Sequence, residues 1–107
     1  MPRFIAIGYG DQGGYDDTAN ALREAAHAHD KTLRDDGALM GIAGSPVQVR
    51  NHQAQGLQTQ EGPYLNSALP VAGFMVFEAE TLADAINAVS KTPCAIANGV
   101  VELWPLE

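Results

Sequence analysis

Cysteine occurs once in these 107 residues, at Cys94, so the chain can form no internal disulfide and no multi-cysteine zinc site. Basic residues are almost as scarce: six lysines and arginines stand against thirteen aspartates and glutamates, for a formal net charge of −7. Those six are Arg3, Arg23, Lys31, Arg34, Arg50 and Lys91, scattered with no cluster able to follow a phosphate backbone. Nucleic acid is therefore not an expected partner, because a basic footprint supplies most of that affinity. No apolar run approaches the ~20 residues that span a bilayer, and Met1-Pro2-Arg3-Phe4 opens no secretory h-region. A reduced, cytoplasmic setting without a membrane partner is the expectation. Internal repeats and low-complexity tracts are missing too.

What is present reads as one globular domain over residues 1–107, with 46% hydrophobic and 18% charged residues. A chain of this length buries only about two-thirds of its unfolded surface, so its core is modest and a partner subunit would help. Phe4-Ile5-Ala6-Ile7 is apolar at every position, as in a strand covered on both faces. The glycine-rich "GYGDQGG" that follows matches neither the G-x-G-x-x-G fingerprint nor the P-loop, and Asp11 would repel phosphate. It reads as a flexible loop.

Asp16 or Asp17 can cap the next helix, on which Leu22, Ala25, Ala26, His29 and Leu33 recur at helical spacing. Gly37 provides a left-handed stop. Ala38 to Ala43 reads as a short strand, and the alternating Val47–Arg50 and Leu57–Gln60 read as a hairpin with one face covered and one wet. Phe74-Met75-Val76-Phe77 is apolar on both alternating faces. Thr81-Leu82-Ala83-Asp84 is a capping-box variant that starts a second helix with the stripe Leu82, Ala85, Ile86 and Val89. Pro93 closes that helical region, and Val100–Trp104 is the last strand.

Strand, helix, strand with hairpin, strand, helix, strand is the split β-α-β order of a ferredoxin-like α+β domain with an extra β-hairpin. It implies an antiparallel sheet with two helices on one face. The other face carries aromatic and aliphatic residues, with Met75 or Phe77 expected to reach it and Trp104 beside them. A bare apolar sheet face of that size is normally an interface, so the chain is expected to self-associate as a homodimer or higher oligomer.

Glu61-Gly62-Pro63-Tyr64, followed by the apolar Gly73–Phe77 run, resembles the "DGPF" signature and following strand of the YCII-related (DGPF-domain) family. Leu33–Leu39, Val47–Arg50, Thr81–Ala85 and Val101–Leu106 resemble further segments of that family in the same order, over nearly the whole chain. The signature acid is Glu61 in place of Asp, and the aromatic is Tyr64 in place of Phe. The resemblance implies a dimeric α/β barrel, in which two sheets pack face to face. Some related proteins are enzymes acting on small cyclic or aromatic compounds.

Two functional classes follow. One is a homodimeric binding protein with a pocket for a small metabolite beside the Glu61–Tyr64 turn. The other is an enzyme carrying out acid–base chemistry, of lyase or isomerase type, on a small cyclic compound. His29 and Glu61 are the candidate proton-transfer groups, since a histidine or a raised carboxyl suits that task. His29 also lies on the apolar stripe, where a buried, hydrogen-bonded core role is the alternative. His27, Arg50 and Tyr64 are the candidate ligand-binding residues; His27 otherwise meets solvent, Arg50 otherwise decorates a strand, and Gly62-Pro63 between Glu61 and Tyr64 otherwise makes a rigid corner. His27 and His29 do not converge on one helix face, so no metal site is expected. No cofactor is expected, and Cys94 has no neighbouring base in sequence to activate it.

Overall fold

The computed structural model describes residues 1–107. Strand β1 (Arg3–Tyr9) leads to a short helix α1 (Gln12–Asp16) and a long helix α2 (Asn20–Asp35). After them come β2 (Leu39–Ile42), the hairpin strands β3 (Val47–Arg50) and β4 (Gln58–Glu61), and the eight-residue β5 (Val71–Glu78). Helices α3 (Leu82–Val89) and α4 (Pro93–Ile96) and strand β6 (Val100–Leu106) complete the chain. Four strands form one antiparallel sheet in the order β2-β5-β1-β6, and β3–β4 is a separate two-stranded sheet. The fold is α+β as expected. The sheet is open, with β2 and β6 at its edges.

Local chemistry sets the boundaries. The first cap is Asp11 rather than Asp16 or Asp17: its carboxylate accepts from Gly14 N at 2.8 Å and starts α1. The longer α2 begins without a side-chain cap, at Ala19. Gly37 stops it at φ 105°, a conformation that side chains rarely adopt. Thr81 Oγ1 accepts from Asp84 N at 3.1 Å and caps α3, as the sequence pattern requires. Pro93 opens α4 instead of merely ending α3, because its missing N–H costs nothing at the first helical position.

Register separates the two faces of the sheet. Phe4 lies opposite Phe77, Ala6 opposite Met75 and Gly8 opposite Gly73, with Met40, Val101 and Leu103 on the same side. This side packs under Ala85 and Val89 of α3 and Leu33 of α2, and the Phe4 and Phe77 rings stack with centroids 5.8 Å apart. Each large side chain buried there contributes about 1.5–3 kcal/mol. Met75 and Phe77 both point to the helices, correcting the expectation that one of them faces away: residues two apart in a strand share a face.

The outer side carries Ile5, Ile7, Phe74, Val76, Leu39, Val100, Trp104 and Leu106. No helix covers it, and Phe74, Trp104 and Leu39 are 49%, 55% and 73% exposed. Its charged groups are paired. Arg3 Nε donates to Glu78 Oε1 at 3.3 Å at one corner, and Tyr9 Oη donates to Glu102 Oε1 at 3.0 Å near the other end. Burial first, and the Glu102 carboxylate second, push the Tyr9 phenol above its ordinary value.

Contrary to the expected half-covered hairpin, β3–β4 has neither face packed against the body. The molecule is consequently drawn out to 52 × 36 × 20 Å, with a radius of gyration of 15.7 Å. A compact chain of this length would have about 13 Å.

Candidate ligand-binding cleft

Gly8 and Gly73 face each other across the β1–β5 ladder, on the side of the sheet that meets the helices. Neither sends a side chain into the space beneath α2, and a cleft of about 590 Å³ opens there. Its floor includes Ala6, Gly8, Gly73, Met75 and Val101, and its rim Gly10, Asp11 and Ile42. That volume suits a small ligand. Gly8 is required for a second reason: a Cβ added there would stand 2.7 Å from Cys94 Sγ.

Polar groups enter from three elements. Helix α2 presents His27, Asp30 and Arg34, spaced three and four residues apart and so on one face. Tyr15 comes from α1, and its Oη shares a 2.8 Å hydrogen bond with His27 Nε2. The Arg23 guanidinium lies 4.9 Å from the Tyr15 ring centroid on the next turn of α2, so the phenol is gripped between two α2 side chains. Thr92 and Cys94 enter from the start of α4. Asn98, at φ 64°, ties α1 to the α4–β6 corner by donating to Gly14 O at 3.0 Å and Thr18 Oγ1 at 3.3 Å.

The electrostatics of the cleft are mixed. Asp30 is half-buried, and desolvation raises its carboxyl above the ordinary range against the opposing pull of His27, Arg34 and His29. Burial, and secondarily the charge of Asp30, raise the Cys94 thiol. A thiol held protonated is a poor nucleophile. Arg34 Nη2 donates to Met40 Sδ at 3.6 Å, a weak acceptor, and Arg34 takes part in neither of the two ion pairs in the chain. Its remaining N–H groups are free to meet a ligand.

The residues singled out from sequence are dispersed. His27 lines this cleft and is also exposed to solvent, as its alternative reading expected. His29, one of the two candidate proton-transfer groups, points to α3, where Nε2 donates to Ala88 O at 2.6 Å; it is not among the cleft residues. Glu61, the other, is exposed at the base of the hairpin opposite Val47. Arg50 and Tyr64 do meet: the guanidinium lies 5.9 Å from the Tyr64 ring centroid in an open groove of about 380 Å³ along β3. Tyr64 is 81% exposed there, and Glu61 does not line the groove. The Glu61–Tyr64 turn thus borders this groove through Gly62 and Tyr64.

Sequence reasoning missed Tyr15, Asp30, Arg34 and Cys94 as a group. The i, i+3, i+7 spacing of His27, Asp30 and Arg34 was a usable signal. Tyr15 and Cys94 join only through the tertiary fold. No cluster of three or more His, Cys, Asp or Glu side chains is placed to hold a metal ion, and no helix is long and apolar enough to cross a membrane.

The fold and the cleft together define a small α+β domain with a side-chain-lined cavity under its long helix. No known family model and no curated protein matches the chain.

Proposed function

We propose that the protein is a small-molecule-binding domain of YCII-related type that works as a homodimer, with its ligand seated in the cleft between the sheet and α2. The observation that carries this reading is the cleft itself: about 590 Å³ over an apolar, glycine-bearing floor, with His27, Tyr15, Asp30 and Arg34 directed at it. An apolar cavity with a few converging polar groups is the usual form of a ligand site. The strand order β2-β5-β1-β6 supports a ferredoxin-like topology. The uncovered outer face supports pairing of two sheets into a dimeric α/β barrel.

The test begins with a thermal-shift screen of small cyclic and aromatic compounds, followed by calorimetric titration of the hits. His27→Ala should weaken binding about tenfold, the effect of one lost hydrogen bond of about 1.4 kcal/mol. Tyr64→Ala should leave binding unchanged. The reverse pattern would move the ligand to the hairpin groove and overturn the cleft reading.

A second reading, an enzyme of lyase or isomerase type acting on a small cyclic compound, is favoured by the Tyr15–His27 hydrogen bond. An imidazole can accept and return a proton, and a phenol bonded to it can fix its orientation. In that reading His27, not His29 or Glu61, transfers the proton. His27→Gln should then abolish turnover of a bound compound while leaving it bound.

A further inference from the structure

We propose that the cleft takes a small, flat hydroxy-carboxylic acid of the hydroxybenzoate class. Arg34 binds its carboxylate, Asp30 accepts from its hydroxyl, and its ring lies on the glycine floor. The inference rests on the ligand-binding cleft proposed above and deepens it by naming the chemistry of the occupant.

Elimination among the charged groups carries the polar half. Four acidic or basic side chains line the cleft: Asp11, His27, Asp30 and Arg34. Asp11 is engaged at the start of α1, where its carboxylate accepts from Gly14 N at 2.8 Å. His27 is held by Tyr15. Asp30 and Arg34 stand about one helical turn apart, at the spacing that favours an ion pair, yet neither belongs to either ion pair of the chain. The other cations beside Asp30 on α2 are committed elsewhere: Lys31 Nζ donates to Asp35 Oδ2 at 2.9 Å, and His29 Nε2 to Ala88 O at 2.6 Å. Arg34 meets only the Met40 sulfur, at 3.6 Å. One carboxylate and one guanidinium are left unmatched at the cleft.

Each calls for a different ligand group. A guanidinium presents its N–H groups as a planar fork, which a carboxylate fits with two parallel hydrogen bonds. Arg34 is also the one arginine or lysine lining the cleft, so on a chain of net charge −7 it alone offsets the repulsion an acid would meet. An ionised carboxyl only accepts, so Asp30 requires a donor. Burial raises the Asp30 carboxyl above its ordinary range, as expected where nothing in the chain replaces the water it has lost. A hydroxyl supplies that donor without bringing another charge out of water, which an ammonium would have to do.

The apolar half is flat. Gly8 and Gly73 pair across the ladder and leave bare backbone. Ile42, paired with Gly73 on its other side, is 95% exposed at the rim. A ring laid over Gly73 would rest on peptide planes and cover Ile42. Such a ring makes this contact with little internal freedom to lose.

The experiment titrates the full chain by calorimetry with the ortho, meta and para hydroxybenzoates, the matching hydroxybenzamides, and benzoate. One hydroxybenzoate should bind best, and its amide, which keeps the ring and hydroxyl but loses the charge, about tenfold more weakly. Arg34→Gln should weaken the acid by a similar factor and leave the amide unchanged. Asp30→Ala should narrow the preference for the hydroxy acid over benzoate. An amide that binds as tightly as its acid, or an acid indifferent to Arg34→Gln, would overturn the assignment; if His27→Ala still weakens binding, the cleft reading stands. Failure of every hydroxybenzoate to bind would overturn the assignment whatever else the cleft accepts. Binding that ignores His27→Ala and falls with Tyr64→Ala would remove the cleft reading, and this assignment with it.

Discussion

Tyr15 Oη and His27 Nε2 lie 2.8 Å apart and join the short helix after the first strand to the long helix across the sheet. The pair closes one side of the cleft, so its strength can be measured apart from any ligand. Tyr15→Phe keeps the ring under Arg23 and removes the bond. The expected loss is about 0.5–1 kcal/mol by urea unfolding. A double-mutant cycle with His27→Ala should show coupling of similar size. Strictly additive losses would mean that the bond is not formed in solution.

Asp30 sets a pH dependence whose direction is fixed. Desolvation raises its carboxyl in the folded state above the ordinary value of 3.8. The ionised form is therefore disfavoured by folding, and stability is lost as pH rises from that value through the raised one. Asp30→Asn should match the wild type near pH 3 and become the more stable protein towards pH 7. The gain should be only some tenths of a kcal/mol, because the carboxylate is half-exposed and screened. Urea midpoints at the two pH values decide it. An Asn variant less stable at pH 7 would contradict the assignment.

Cys94 should alkylate slowly. Burial and the nearby Asp30 charge both hold the thiol protonated, and only the thiolate reacts. Iodoacetamide at pH 8 should modify the native protein several-fold more slowly than the unfolded chain. Asp30→Asn should recover part of that difference. A native rate equal to the unfolded rate would place the thiol in solvent.

Gly8→Ala should cost about 1–3 kcal/mol, the usual penalty for forcing a methyl into packed structure. The added Cβ would stand 2.7 Å from Cys94 Sγ and 3.3 Å from its Cβ. Cys94→Ala in the same chain should restore part of the loss, since it removes the nearer atom. Thermal unfolding of the single and double variants checks this; no rescue would place the obstruction elsewhere.

Elements that declare themselves through local chemistry were legible in the sequence. Thr81 and Asp84 marked the start of α3, Gly37 marked the end of α2, and the unbroken apolar runs at Phe4–Ile7 and Phe74–Phe77 marked strands with two apolar sides. Site residues that depend on packing were not. His27 and His29 differ by about 200° around a helix axis, yet which of them meets the cleft depends on where α3 places Ala88 O. The Gly8–Gly73 pairing that opens the floor is a register between strands more than sixty residues apart. Glu61-Gly62-Pro63-Tyr64 is legible as a turn, and Gly62 does adopt φ 101°, but a turn motif carries no information about whether anything folds over it.

The two-sided sheet is tested most directly by the mass of the protein in solution. Multi-angle light scattering at low micromolar concentration should give twice the chain mass of 11.3 kDa. Phe74→Glu, a charge on the outer face, should give the single-chain mass with its secondary structure intact. A wild-type mass of one chain at tens of micromolar would contradict the pairing of outer faces, as would a Phe74→Glu protein that remains a dimer.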